Sequence, residues 1–156
     1  MIDRKTLLEP QFMADPPVKL NIPAKTLGLI LAILGGIAAL FGLLAILALL
    51  GLSAVAAAFG GIFILAIIGL IISEIGTIVG AWGGWQMFQG KVEGKVLAIY
   101  GLLINVAGSL FAAIGGTGGL IGWVFGALVS FVIYYLIVIS RFPDDPAPVD
   151  SSTAAV

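Results

Sequence analysis

Long apolar stretches alternate with short polar or glycine-rich segments along this chain. The apolar stretches predict helices at residues 23–50, 61–88, 96–114 and 120–140. Each is close to the roughly 20 residues that a helix needs to cross a bilayer, and none shows the alternation typical of strands. A helix satisfies its own backbone groups in lipid. The pattern therefore predicts an all-α fold, an up-down bundle of four transmembrane helices.

The segments outside these stretches are polar and contain several prolines. Residues 1–22 are interpreted as a cytoplasmic tail, residues 23–142 as the transmembrane domain, and residues 143–156 as a disordered acidic tail. The start of the second helix is left open, because Ser53 to Phe88 is too long for one upright span. Residues 54–59 are then a short interfacial helix or a loop, and residues 3–9 could form a second interfacial helix.

Composition excludes several classes of protein. The chain is 61% hydrophobic and 10% charged, whereas soluble domains carry about 25% charged residues. It has no cysteine and no histidine, which excludes thiolate clusters, nucleophiles of those types and the usual zinc site. With a net charge of −1 and no basic tract, nucleic acid is not an expected partner. We expect no cofactor and no enzymatic activity.

The basic residues predict the orientation in the membrane. With four spans, all seven fall on one side: Arg4, Lys5, Lys19, Lys25, Lys91, Lys95 and Arg141. Cytoplasmic segments carry the excess of Lys and Arg. Both termini and the loop between the second and third helices are therefore predicted to be cytoplasmic, in a multi-pass protein of the cell inner membrane.

That loop also carries a short recognisable pattern. The residues concerned are Gly90, Lys91, Gly94, Lys95, Leu97 and Ala98. They resemble a hairpin that recurs in small bacterial four-helix inner-membrane proteins, most of which have no assigned activity. The resemblance implies a bacterial four-helix membrane protein and implies no particular activity.

Small residues line one face of each predicted helix. In the first three helices they recur at spacings of four and three, and in the fourth at spacings of four. Such faces let helix backbones approach closely in lipid, so we expect helix packing there, or for one face a contact with another subunit. The positions are Gly28, Ala32, Gly35, Ala39 and Gly42; Gly69, Ser73, Gly76, Gly80 and Gly83; Gly94, Ala98, Gly101, Asn105, Gly108 and Ala112; and Gly122, Gly126 and Ser130.

Glu74 is the only charged residue between Thr26 and Lys91. A carboxyl at membrane depth is costly, so it must find a partner or stay neutral. At 1.5 Å per residue, Glu74, Asn105 and Ser130 lie in one layer about 12–16 Å from the cytoplasmic boundary. We therefore expect a polar cluster in which Glu74 and Asn105 hydrogen bond directly or through one residue such as Ser73 or Ser130, with Thr77 nearby.

Three interpretations of Glu74 remain open from the sequence. The first is this hydrogen-bonded cluster, which would hold the helices in register. The second is a site that exchanges protons or cations along a transport path. The third is a contact with a polar group on a partner subunit.

The short segments outside the membrane leave no room for a soluble catalytic site. The sequence therefore predicts a non-enzymatic accessory, stabilising or assembly subunit of a larger membrane complex. Its expected partners are membrane lipids and other membrane-protein subunits, or further copies of itself. The alternative is a small transporter or channel component that exchanges protons or cations at Glu74.

The orientation can be tested by labelling. A thiol introduced as Lys91→Cys would be the only one in the chain, because the native sequence has no cysteine. We expect a membrane-impermeant maleimide to label it only after the cells are permeabilised. Labelling from outside intact cells would show the predicted topology to be wrong.

Overall fold

The computed structural model describes residues 22–51, 61–116 and 119–143. These residues form four helices in chain order. They are α1 (Ala24–Gly51), α2 (Gly61–Phe88), α3 (Glu93–Ile114) and α4 (Gly119–Ile139). Each helix is long and apolar enough to cross a membrane. This confirms the all-α class and a number of membrane-length helices that matches the apolar pattern, whereas residues 3–9 and 54–59 lie outside the described residues.

The helix bounds differ from the predicted ones by one residue or none, except at the start of α3. This helix begins at Glu93, three residues earlier than expected. Gly90 makes the turn with a φ of 84°, and the N–H groups of Gly94 and Lys95 then bond to the carbonyls of Lys91 and Val92. A carboxylate in the first turn also interacts favourably with the helix dipole, which favours Glu93 as a helical residue.

Helices α2 and α3 form the closest contact in the structure. A Cβ atom placed on Gly101 would lie 2.7 Å from the carbonyl oxygen of Gly76, and one on Gly69 would lie 2.7 Å from that of Gly108. Side chains at these positions would collide with backbone. Helices α2 and α3 are antiparallel, since Gly69 contacts Gly108 while Gly76 contacts Gly101.

A second small-residue face of α2 packs against α1. A Cβ on Gly28 would lie 2.6 Å from the carbonyl oxygen of Gly84, and one on Gly35 would lie 2.9 Å from the Cβ of Ala81. The spacing of small residues predicts Gly28 and Gly35 as contact positions but not Gly84 or Ala81. Helix α2 is therefore the central helix, with glycine contacts on both sides.

Helix α4 packs mainly against α3 and does so more loosely. Contrary to the expectation of close packing, Gly122 and Gly126 are exposed, and a Cβ on either would meet nothing within 4 Å. The buried residues of α4 lie only at its end, at Ile137, Val138 and Ile139.

The ends of α1 and α4 meet beside the turn between α2 and α3. The N–H of Ala24 donates to the carbonyl of Arg141 at 2.7 Å, and the N–H of Arg141 donates to that of Ile22 at 3.0 Å. Lys95 donates to the carbonyl of Ser140 and lies 5.3 Å from the ring centre of Phe142, within range of a cation–π contact. A buried cluster surrounds these contacts: Ala24, Leu27, Met87, Ala98, Ile99, Ile137, Val138 and Phe142.

The glycine contact between α2 and α3 yields a stability prediction. In Gly76→Ala the new methyl would lie 2.8 Å from the Cα of Asn105. Overpacking of this kind should lower the free energy of unfolding by about 1–3 kcal/mol. The measurement is an unfolding titration in detergent micelles, followed by helical circular dichroism.

Gly36→Ala is the matched control. Gly36 also lies in a helix, but a Cβ there would meet nothing within 4 Å. We expect its stability to stay unchanged or to rise slightly, since alanine is the better helix former. Equal losses in the two variants would contradict the packing described for α2 and α3.

Candidate functional site

The polar groups in the middle of the helices form two separate sites. The first lies between α2 and α3. The amide nitrogen Nδ2 of Asn105 donates to the carbonyl and the Oγ of Ser73, at 3.1 and 2.9 Å, and to Oγ1 of Thr77 at 2.9 Å. The hydroxyl of Thr77 donates in turn to the carbonyl of Ser73 at 3.1 Å. Ser73 and Thr77 lie one turn apart, so both present their oxygens to α3.

The close approach of α2 and α3 at Gly76 allows the side chain of Asn105 to reach Ser73 and Thr77. A Cβ on Gly76 would lie 2.8 Å from the Cα of Asn105, so the backbones of α2 and α3 nearly touch at that level. The short Asn side chain can therefore span from α3 to the hydroxyls of α2. Interhelical hydrogen bonds of this kind stabilise association in lipid, where the alternative is an unsatisfied polar group.

Glu74 forms the second site, on the face of α2 that meets α1. One residue along a helix turns the side chain by about 100°, so Glu74 leaves the face that Ser73 shares with α3. Its carboxyl lies over Gly42 of α1, where a Cβ would stand 2.7 Å from the Cδ of Glu74. Glycine at this position makes room for the carboxyl. The side chain is only 7% exposed, and Oε1 has no hydrogen-bond partner.

The hydrogen bond expected between Glu74 and Asn105 is therefore wrong. Every side-chain hydrogen bond of Asn105 within the described part of the chain goes to Ser73 or Thr77. The two residues do share a depth, but depth does not determine the direction around the helix axis. Glu74 lies one position off the small-residue face that meets α3, and this offset was the signal for a different neighbour.

Ser130 lies at the first site without joining its hydrogen bonds. A cavity of about 420 Å³ separates α4 from α2 and α3, and Ser73, Asn105 and Ser130 all line it. Trp123 and Ser109 line it too, and each donates to the carbonyl of Val106, at 3.1 and 3.0 Å. Sequence reasoning missed Trp123, although an indole N–H within an apolar helix requires an acceptor.

No protein-family model, curated protein or solved structure matches this chain. The functional argument therefore rests on the chemistry of these two sites.

The charged residues lie mainly at the ends of the described helices, away from the two polar sites. Apart from Glu74, the charged residues of the described ranges lie at or beside helix ends: Lys25, Lys91, Glu93, Lys95 and Arg141. Glu74 therefore has no salt-bridge partner in the part of the chain that the structure covers. Glu74 is the one Asp, Glu, Lys or Arg in the middle of a described helix, and its Oε1 has no hydrogen-bond partner.

Double-mutant cycles should distinguish the two sites. We expect Thr77→Ala and Asn105→Ala to couple by about 0.5–1.5 kcal/mol in the free energy of unfolding, because they share a hydrogen bond. Glu74→Ala and Asn105→Ala should add within about 0.5 kcal/mol. The measurement is the same detergent unfolding titration, and strong coupling of Glu74 to Asn105 would contradict the separation.

Proposed function

We propose that this protein is a non-enzymatic accessory, stabilising or assembly subunit of a larger membrane complex. In this proposal it inserts in the cell inner membrane as an up-down bundle with both termini cytoplasmic. The four apolar helices support insertion, and the gathering of Lys and Arg at one end supports the orientation.

The unpartnered oxygen of Glu74 is the observation that carries this proposal. A buried polar atom without a hydrogen bond costs about 1–3 kcal/mol, and the cost rises for a charged group. In the described chain nothing offsets this cost, since Oε1 accepts no hydrogen bond. A donor on a transmembrane helix of a partner subunit would remove the penalty and so favour assembly.

The surroundings of Glu74 suit such a partner. Ile71 and Ile78 lie three residues before and four residues after Glu74, and therefore flank it on the surface of α2. They are 41% and 46% exposed. A partner helix lying along the contact between α1 and α2 would cover both side chains. Oε1 is buried in the isolated chain, so the Glu74 side chain would turn outward in the complex to accept a hydrogen bond from a Ser, Thr, Asn, Gln or basic side chain at the midpoint of that helix.

The alternative function is a transporter or channel component that exchanges protons or cations at Glu74. The unpartnered Oε1 of Glu74 also favours this function, because an exchangeable proton or cation needs an oxygen that is not already hydrogen bonded. Conduction paths in membranes typically use chains of ionisable groups or water-lined cavities. Glu74 is the only Asp, Glu, Lys or Arg at mid-helix among the described residues, and the cavity beside α4 does not include it. We therefore rank assembly first.

Site-directed photo-crosslinking in native membranes tests the assembly proposal. A photoreactive residue at Ile71 should give one discrete protein adduct. The same residue at Leu103, which is 49% exposed on α3, should not. Glu74→Gln should retain the adduct because the amide still hydrogen bonds. Glu74→Leu should reduce it by about threefold or more, as expected for losing one interhelical hydrogen bond.

A liposome assay can contradict the assembly proposal. The purified chain alone, reconstituted in liposomes, should hold an imposed pH gradient. If it dissipates the gradient and Glu74→Gln stops the leak, the transport alternative replaces the assembly proposal. Equal crosslinking from Ile71 and Leu103 would also argue against a specific partner at Glu74.

A further inference from the structure

The cavity between α2, α3 and α4 is independent of Glu74 and has the dimensions of a ligand site. Its volume of about 420 Å³ lies within the roughly 300–1,000 Å³ typical of small-molecule pockets. Its wall is mostly apolar, with Leu70 and Ala113 among the residues that line it. A few polar groups converge on it, which is the usual composition of a binding pocket.

The glycines of α4 keep this space open. At Gly76 and Gly101 a Cβ would collide with the neighbouring helix, so those glycines bring backbones together. At Gly122 and Gly126, which line the cavity, a Cβ would meet nothing within 4 Å. The same residue type therefore has the opposite effect on α4, where it leaves a volume that any side chain would partly fill.

Unused hydrogen-bonding capacity faces this volume. Asn105 makes its bonds through Nδ2, and its Oδ1 accepts none from the residues that the structure describes. The Oγ of Ser73 accepts from Asn105 and keeps its own proton for donation. The hydroxyl of Ser130 makes no hydrogen bond within the described ranges. The site thus offers one carbonyl acceptor and two hydroxyls that can donate.

The chemistry of the lining restricts the ligand. The lining contains no charged residue, so a charged head would be desolvated without compensation. The polar groups also lie about 15 Å from the cytoplasmic boundary, which is deeper than a phospholipid headgroup. We propose that this cavity binds a neutral, membrane-soluble alcohol. Its hydroxyl donates to Oδ1 of Asn105 and accepts from Ser130 or Ser73, while its chain packs against Leu70 and Trp123.

Photolabelling of the full-length protein in phosphatidylcholine nanodiscs tests this site. The probe is a long-chain fatty alcohol that carries a diazirine, and the control probe is the matching alkane without the hydroxyl. We expect the alcohol to label peptides of α3 and α4 around Asn105 and Trp123, and the alkane to label lipid-facing positions without preference.

Two variants and one control isolate the cavity. Gly126→Leu fills it and should abolish the site-specific labelling. Gly36→Leu adds the same side chain on α1 where nothing lies within 4 Å, and should leave the labelling intact. Ser130→Ala removes a hydroxyl that the fold does not use, and should reduce labelling by about twofold to tenfold. Circular dichroism and gel filtration establish that each variant is folded.

Two results would overturn the inference. One is labelling by the alcohol that survives both Gly126→Leu and Ser130→Ala. The other is a photoreactive residue at Gly122 that captures a protein in native membranes and is not displaced by excess fatty alcohol. The cavity would then be a docking site for a helix of another protein rather than a site for a membrane-soluble alcohol.

Discussion

Backbone contact between α2 and α3 is the constraint on which the rest of the structure depends. Glycines at Gly69, Gly76, Gly101 and Gly108 remove the side chains that would hold the helices apart. Because the helices approach so closely, the side chain of Asn105 can reach Ser73 and Thr77. The other side of α2 is then available for α1, and the outer side of α3 for α4. Where lipid surrounds such helices and no water drives apolar surfaces together, packing of this kind supplies much of the attraction between them.

The two polar sites differ in how far the chain satisfies them. The amide of Asn105 has acceptors on a helix that is locked in register, so its burial helps to specify the fold. The carboxyl of Glu74 packs over Gly42 and keeps a buried oxygen without a hydrogen-bond partner. Among the fully buried polar side-chain atoms of the described residues, Oε1 of Glu74 is the one without a hydrogen bond, although Ser73 beside it takes part in a network. For this reason interaction with another molecule is a better explanation of Glu74 than internal stability.

Much of this arrangement could be predicted from the sequence, because long apolar runs and heptad-spaced glycines have direct physical consequences. The four helices and the contact face of α2 follow from those patterns. The offset of Glu74 from the small-residue face of α2 indicates that it does not point at α3. Its actual neighbour on α1 could not be predicted, because helix periodicity does not say which helix packs against the other face. The role of Gly122 and Gly126 could not be predicted either. A glycine permits close approach and equally permits a void, and only the position of the neighbouring helix decides between them.

The backbone bonds that join Ala24 and Arg141 have a consequence for how the protein is made. A ribosome releases α1 first and α4 last. The start of α1 can therefore be covered by the end of α4 only after the whole chain has been made. Ala24 is fully buried in the finished protein, and Ile137 beside it is equally enclosed. A chain cut short before α4 leaves the N–H of Ala24 without the Arg141 carbonyl. The contact between Ala24 and Arg141 can therefore form only in a chain that extends past α4, and it lies at the same end as the turn between α2 and α3.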